Sequence, residues 1–313
     1  MISMREVTKT FPGSSTPAVS SLSLDVGAGE TVVLVGPSGC GKTTTMRMIN
    51  RLVEPTSGTI LVGGTDVAKQ DVVELRRGIG YVIQSIGLMP HRTVAENIGT
   101  VPKLVGWDAA RIRARVADLA EMLDLDGDLL SRYPNELSGG QRQRAGVARA
   151  LAADPPVMLM DEPFGAVDPI VRERLQDQFL RIQAELRKTI VFVTHDVDEA
   201  LKMADRIAIL NRGGVVEQLA SPAEILRAPA NDFVARFVGG GRALKRLSLL
   251  TVSDVALEPA NRRPPVVVGK SASLLDALDA IVTSESGTVG VDDGAGGVAG
   301  VLTLERIRTE LGA

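Results

Sequence analysis

Gly36-Pro37-Ser38-Gly39-Cys40-Gly41-Lys42-Thr43-Thr44 is the stretch whose reading decides the fold. It fits G-x-x-x-x-G-K-[ST], a phosphate-binding loop. Thr31-Val32-Val33-Leu34-Val35 stands directly before it and reads as a short buried strand. A helix is predicted after it, over residues 43 to about 52. Glycines let the backbone curl so that successive N–H groups point inward at phosphate oxygens. The helix N-terminus adds its partial positive charge. Lys42 is placed to reach β- and γ-phosphates, and the Thr43 hydroxyl to ligate Mg²⁺. The candidate phosphate contacts are therefore Gly36, Ser38, Gly39, Cys40, Gly41, Lys42, Thr43 and Thr44.

Working outward, 44% of the 313 residues are hydrophobic but only 3% are aromatic, so aliphatic packing must build the core. A formal net charge of −3 gives no reason to expect nucleic-acid binding. The single cysteine, Cys40, excludes a disulfide framework and fits a reducing compartment. Inside the loop it reads as a small residue in a tight turn. No apolar run approaches the ~18 residues of a membrane span, and the N-terminus is not a signal peptide. The expectation is a cytoplasmic protein that meets a membrane only through a partner.

Residues 1 to 30 alternate in strand fashion around a Gly/Ser/Pro turn. Phe11 lies in that turn, where it can stack on a purine or pack in the core. Residues 58–64 and 79–83 read as strands, the second ending at Gln84, whose amide can point at Mg²⁺, a water or a γ-phosphate. Residues 88 to about 153 are predicted helical. Over 109–123 the apolar positions Ile112, Val116, Leu119 and Leu123 make one buried stripe. Asp124, Asp126 and Asp128 imitate the start of a calcium loop, but Leu129 and Asn135 stand where glycine and a bidentate glutamate belong. That site is rejected.

Leu137-Ser138-Gly139-Gly140-Gln141 precedes another predicted helix and offers a second phosphate-binding surface. Its chance occurrence is on the order of one in a thousand for a chain of this length. Val157-Met158-Leu159-Met160-Asp161-Glu162 is an apolar strand ending in two carboxylates. Ligands sit at the carboxyl ends of parallel strands. Asp161 is the candidate Mg²⁺ ligand, and Glu162 the candidate base for the attacking water. Asp168 follows as a hinge between subunits. His195 ends the strand over 189–194, where it can sense a γ-phosphate; His91 follows a proline and is assigned to the surface.

In this order, the segments 36–44, Gln84, 137–141, 157–162, Asp168 and His195 resemble the full motif set of the ATPase subunits of ABC transporters, over about residues 1–238. The pentapeptide is the most specific part. Residues 83–91 and 164–169 look most like the ATPases of glycine betaine/carnitine/choline importers. The resemblance implies an α/β fold with a phosphate-loop NTPase core and a helical subdomain at about 88–153. It implies ATP and Mg²⁺ as cofactors and a homodimer in which each ATP lies between one phosphate loop and the partner's Ser138, Gly139, Gly140 and Gln141. Phe11 and Asp168 join the nucleotide contacts, while Glu162, His195 and Gln84 serve hydrolysis and Thr43, Gln84 and Asp161 hold the metal. The partners implied are membrane permease subunits, riding near residues 84–97, and indirectly a substrate-binding protein; nucleic acid is not among them. The place implied is the inner face of the cell membrane. Another small solute, such as an amino acid, or a non-transport ATPase of the same class are the alternatives.

Beyond a glycine linker at 239–246, residues 247–313 show a β-α-β-β-α order that resembles one cystathionine-beta-synthase (CBS) repeat, a small α+β domain. Its basic and acidic residues nearly balance, so attraction to an anionic membrane is not indicated. Single repeats of two subunits can pair. A regulatory sensor and a merely structural tail are both expected roles.

Overall fold

The computed structural model describes residues 1–85, 87–165, 167–260, 264–295 and 297–312. Ile86 and Ala166, inside two of the stretches that carry the resemblance, lie outside the described residues, as do positions 261–263 and 296 of the tail.

The chain forms two compact units, Met1–Ser221 and Pro222–Ala313. In the first, β1 (Ile2–Lys9) and β2 (Val19–Val26) alternate buried and exposed positions along much of their length, as antiparallel strands covered on one face do. β3 (Thr31–Val35) is buried at every position and feeds α1 (Lys42–Ile49). β4 (Ser57–Val62) and β5 (Thr65–Asp66) complete a four-stranded antiparallel sheet in the order β2-β1-β4-β5. Asp71 caps α2 (Val72–Arg77), accepting from the amides of Val73 and Glu74, and β6 (Ile79–Val82) follows.

The helical segment then runs through α3 (Val94–Ile98), α4 (Thr100–Leu104), α5 (Ala109–Met122) and α6 (Gly139–Leu151). On α5 the buried positions include Val116, Leu119 and Ala120, the face expected from the apolar spacing. The chain returns through β7 (Val157–Asp161), α7 (Pro169–Leu186), β8 (Thr189–Val193), α8 (Val197–Met203), β9 (Arg206–Asn211) and β10 (Val215–Ala220).

The second sheet has the order β10-β9-β3-β8-β7-β6. All pairs are parallel except β10 against β9. β3, β7 and β8 carry TVVLV, VMLMD and TIVFV, each buried at all five positions. Continuous apolar runs of this kind mark strands covered on both faces. One core cluster draws on both sheets and α1, among others Ile2, Val19, Leu34, Met46, Ile60, Val157 and Val191. The register sets Asp161 beside Val193, and Val193 beside Leu34. The carboxyl ends of β7, β8 and β3 therefore lie in a row.

The C-terminal unit begins with α9 (Pro222–Arg227), α10 (Asp232–Val238) and α11 (Arg242–Leu249). This corrects the expected linker at 239–246 and the domain end at 238. Gly241, with φ +69, caps α11, whose Leu247 is 1% exposed and packed in the C-terminal core. Arg246 Nη1 donates to the Leu311 carbonyl at 3.1 Å. The glycines start a helix; they do not space two domains. β11 (Val267–Val268), α12 (Leu274–Thr283), β12 (Thr288–Asp292), β13 (Val298–Thr303) and α13 (Leu304–Gly312) follow in the expected β-α-β-β-α order. β11 pairs parallel and β13 antiparallel with β12. Leu274, Ala277, Val289, Val291 and Leu302 are fully buried there.

Candidate active site

The loop after β3 needs its glycines for two different reasons. A side chain at Gly36 would strike the Leu210 carbonyl oxygen. Gly41 has φ +105, and a Cβ there would sit 2.5 Å from the Ala18 carbonyl oxygen. Gly41 is the residue before α1, so this backbone turn aims the first amides of the helix into the loop. Lys42 is buried, and its Nζ donates to the carbonyls of Gly36 at 2.7 Å and Pro37 at 3.1 Å. The ammonium is thus held across the mouth of the loop. Cys40 is fully buried beneath it, matching the reading of a small residue in a tight turn.

Across the sheet, Thr43 Oγ1 donates to Asp161 Oδ1 at 3.0 Å. Asp161 is only 3% exposed. Burial pushes its carboxyl above the usual range; the Thr43 hydroxyl opposes that shift, and the neighbouring Glu162 adds to it. Arg47 and Lys42 supply compensating positive charge. Among the described residues no group of three or more His, Cys, Asp or Glu is arranged to hold a metal. The donor set is instead a hydroxyl and a buried carboxylate with the Gln84 amide nearby, hard oxygen ligands of the kind Mg²⁺ takes with substrate phosphates. A buried carboxylate held by a single hydroxyl beside the phosphate loop fits such an ion.

Glu162 has φ +44, the left-handed region that non-glycine residues seldom enter. Its amide donates to the Val193 carbonyl at 2.9 Å. Its carboxylate lies between two partners. Gln84 Nε2 donates to Oε2 at 2.9 Å, and His195 Nδ1 stands 3.2 Å from Oε1. The strands β6, β7 and β8 thus deliver Gln84, Glu162 and His195 to one place. A cavity of about 310 Å³ is lined by Ala18, Ser38, Gly39, Gly41, Lys42, Thr43, Thr44, Glu162 and His195.

Other sites lie elsewhere. Ser138 caps α6 in a capping box: its Oγ accepts from Gln141 N at 3.2 Å, while Gln141 Oε1 accepts from Ser138 N at 2.8 Å. Ser138 is exposed, and Gly139, Gly140 and Gln141 are half-buried. Ser138, Gly140 and Gln141 line a separate cavity with Asp124, Arg144 and Val171 among others, sharing no residue with the first. Asp168, exposed just before α7, accepts from the Arg172 amide through its carbonyl at 2.8 Å. Phe11 is 41% exposed, with the Lys9 ammonium 5.1 Å from its ring centroid; it is not a packed core residue. His91 is exposed as expected. Ala18 escaped the sequence reading because it acts through its backbone, and no side-chain pattern signals that.

Residues 19–165 match the profile of the ABC transporter family. The osmoprotectant import ATP-binding protein OsmV of Salmonella typhimurium is 49% identical over 100% of this chain and 81% of its own length. The chain belongs to the ABC transporter ATP-binding proteins. The glycine betaine/carnitine/choline transport ATP-binding protein OpuCA of Bacillus subtilis is 51% identical over 89% of this chain and 72% of that one. The glycine betaine uptake system ATP-binding protein YehX of Escherichia coli is 45% identical over 99% of this chain and 100% of that one. Among solved structures, a dimeric post-hydrolysis state of the ATP-binding cassette MJ0796, bound to ADP and Pi, superposes with a TM-score of 0.65 at 32% identity. It covers 71% of this chain and 99% of that chain. The core of this ABC protein is thus the fold of an ABC ATPase cassette. No described helix is long and apolar enough to cross a membrane.

Proposed function

We propose that this chain is the ATP-hydrolysing subunit of an ABC importer for quaternary ammonium osmoprotectants such as glycine betaine, carnitine and choline. The observation that carries the reaction is the Glu162 carboxylate, fixed between Gln84 and His195 on the wall of the phosphate-loop cavity. The cargo assignment rests on relatives at 45–51% identity that import these solutes.

The loop amides and Lys42 bind the triphosphate, and α1 adds its N-terminal field. Thr43, Asp161 and Gln84 would hold Mg²⁺, which when bound would neutralise charge on the phosphates. Glu162 accepts a proton from the attacking water, and His195 contacts the γ-phosphate. Each ATP also meets the Ser138, Gly139, Gly140 and Gln141 segment of a second copy. In one chain Ser138 is exposed and the rest of that segment half-buried, and Ser138, Gly140 and Gln141 line a cavity of their own, which suits a contact made in trans. Swinging such a pair from 1:99 open to 99:1 closed takes about 5.5 kcal/mol of differential binding. Permease subunits dock on the helical segment near residues 84–97, at the cytoplasmic face of the membrane, and a binding protein presents the solute outside. Residues 247–313 of the C-terminal unit are a single CBS-like repeat, regulatory or dimer-stabilising.

Reconstitution with the permease encoded beside it tests this reading. Labelled glycine betaine is expected to accumulate in vesicles loaded with Mg-ATP, and to stop with Lys42→Ala. Uptake of amino acids with no competition by betaine would replace the cargo assignment.

A further inference from the structure

The segment that carries His195 ends in a buried polar cluster. Thr194 is 1% exposed and Glu199 7%. Thr194 Oγ1 accepts from Asp196 N at 3.0 Å. Asp196 caps α8, accepting from the amides of Asp198 at 2.9 Å and Glu199 at 3.2 Å. The Glu199 carboxylate is hydrogen-bonded by Thr194 and by Gln176 Nε2, the latter at 3.1 Å. Burial raises the Glu199 carboxyl above the usual range against those two bonds.

Gln176 stands one turn after Arg172 on α7, so the two share a helix face. Arg172 Nη1 lies 3.8 Å from Asp196 Oδ2. Its Nη2 donates to the Val167 carbonyl at 3.2 Å, one residue before Asp168. Its Nε is buried with no hydrogen-bond partner. A buried carboxylate and an unsatisfied guanidinium nitrogen are a poor way to join two helices, since apolar packing does that without desolvation cost. Such groups are better explained by what they hold in place. Here Arg172 joins the Asp196 side chain, one residue after His195, to the Val167 carbonyl beside Asp168, and Glu199 joins the Thr194 side chain, one residue before His195, to Gln176 on the same face of α7.

We infer that Arg172 and Glu199 are positioning residues that link the Asp168 loop to His195, so that a shift of that loop against a partner subunit moves the histidine relative to Glu162. The link joins two discrete elements through side chains that touch both, the physical requirement for coupling. It rests on the proposed reading of His195 and Asp168.

The test uses the full-length chain and steady-state phosphate release across a range of Mg-ATP concentrations. Arg172→Gln and Glu199→Gln are compared in the native background and in His195→Ala. In the native background each is expected to lower kcat about tenfold with KM within twofold, and Arg172→Lys to restore at least half of the rate. In the His195→Ala background the same changes are expected to move kcat less than twofold, because residues that act through one group are not additive. An equal loss in both backgrounds overturns the link, as does a KM that rises in step with the loss of rate. A fall in Tm with unchanged kcat of the folded protein also overturns it. An unimpaired His195→Ala enzyme refutes the histidine assignment itself, and the link with it.

Discussion

Glu162→Gln separates binding from chemistry at this site. The side chain lies between the Gln84 amide, 2.9 Å from Oε2, and His195 Nδ1, 3.2 Å from Oε1. A glutamine of the same shape still offers one carbonyl oxygen to the Gln84 amide, and its own NH₂ then faces the imidazole. The backbone kink at φ +44 and the bond from its amide to the Val193 carbonyl are main-chain features that the substitution leaves alone. Geometry therefore survives while the proton acceptor is lost. A positioned general base contributes 10²–10⁴-fold, which is about 3–5 kcal/mol of barrier. The expected result is a kcat lower by at least about 10²-fold with nucleotide affinity within a few-fold of the native protein. With hydrolysis blocked, the closed pair should persist. Phosphate release measures the first quantity, titration of a fluorescent ATP analogue the second, and light scattering on a sizing column with Mg-ATP the third. A kcat within threefold of native would refute the base assignment. A low kcat together with lost nucleotide binding would show that Glu162 holds the loop together instead.

Asp161→Asn is expected to stabilise the nucleotide-free protein while abolishing Mg-dependent hydrolysis. Burial raises the folded carboxyl above its unfolded value, so its contribution to stability is full below the unfolded pKa and is lost as pH rises through the folded one. The neutral amide removes that loss, so Tm at pH 7.5 should rise by a few degrees and the gain should vanish on acidification toward pH 4; a Tm at or below native at pH 7.5 refutes the argument. Gly41→Ala places a methyl 2.5 Å from the Ala18 carbonyl at φ +105, whereas Gly39→Ala at φ +76 meets open space. Both pay the left-handed backbone strain of roughly 1–2 kcal/mol, but only the first adds a collision. Thermal unfolding should therefore rank Gly41→Ala clearly below Gly39→Ala, and equal losses would contradict the packing of the loop against Ala18.

How far the sequence discloses this molecule depends on where the determining forces act. β3 is found at its predicted limits, and β7 and β8 end one residue before theirs. A run of four apolar residues, as in each of these strands, leaves a buried strand little choice. The phosphate loop is legible because its residue pattern is set by the phosphate it binds, although Gly36 and Gly41 are also held by the distant Leu210 and Ala18 carbonyls. α11 was not legible. Three glycines ahead of Arg242 look like a spacer, and only tertiary contacts, Leu247 in the core and Arg246 on the Leu311 carbonyl, make the following residues a packed helix. The same distinction divides the site. Lys42, Thr43, Asp161, Glu162 and His195 sit at strand or helix ends that motifs mark. The Ala18 carbonyl, the left-handed turn at Glu162 and the Arg172–Asp196 contact depend on which strand or helix lies next to which. A motif names the groups that touch phosphate, but the groups that aim them are chosen by strand order. With β8 between β3 and β7, His195 necessarily falls between the loop and Glu162, and whatever anchors the start of α8 controls that histidine. The residues that govern timing are thus expected on α7 and α8, outside every motif, where substitutions should alter turnover more than nucleotide affinity.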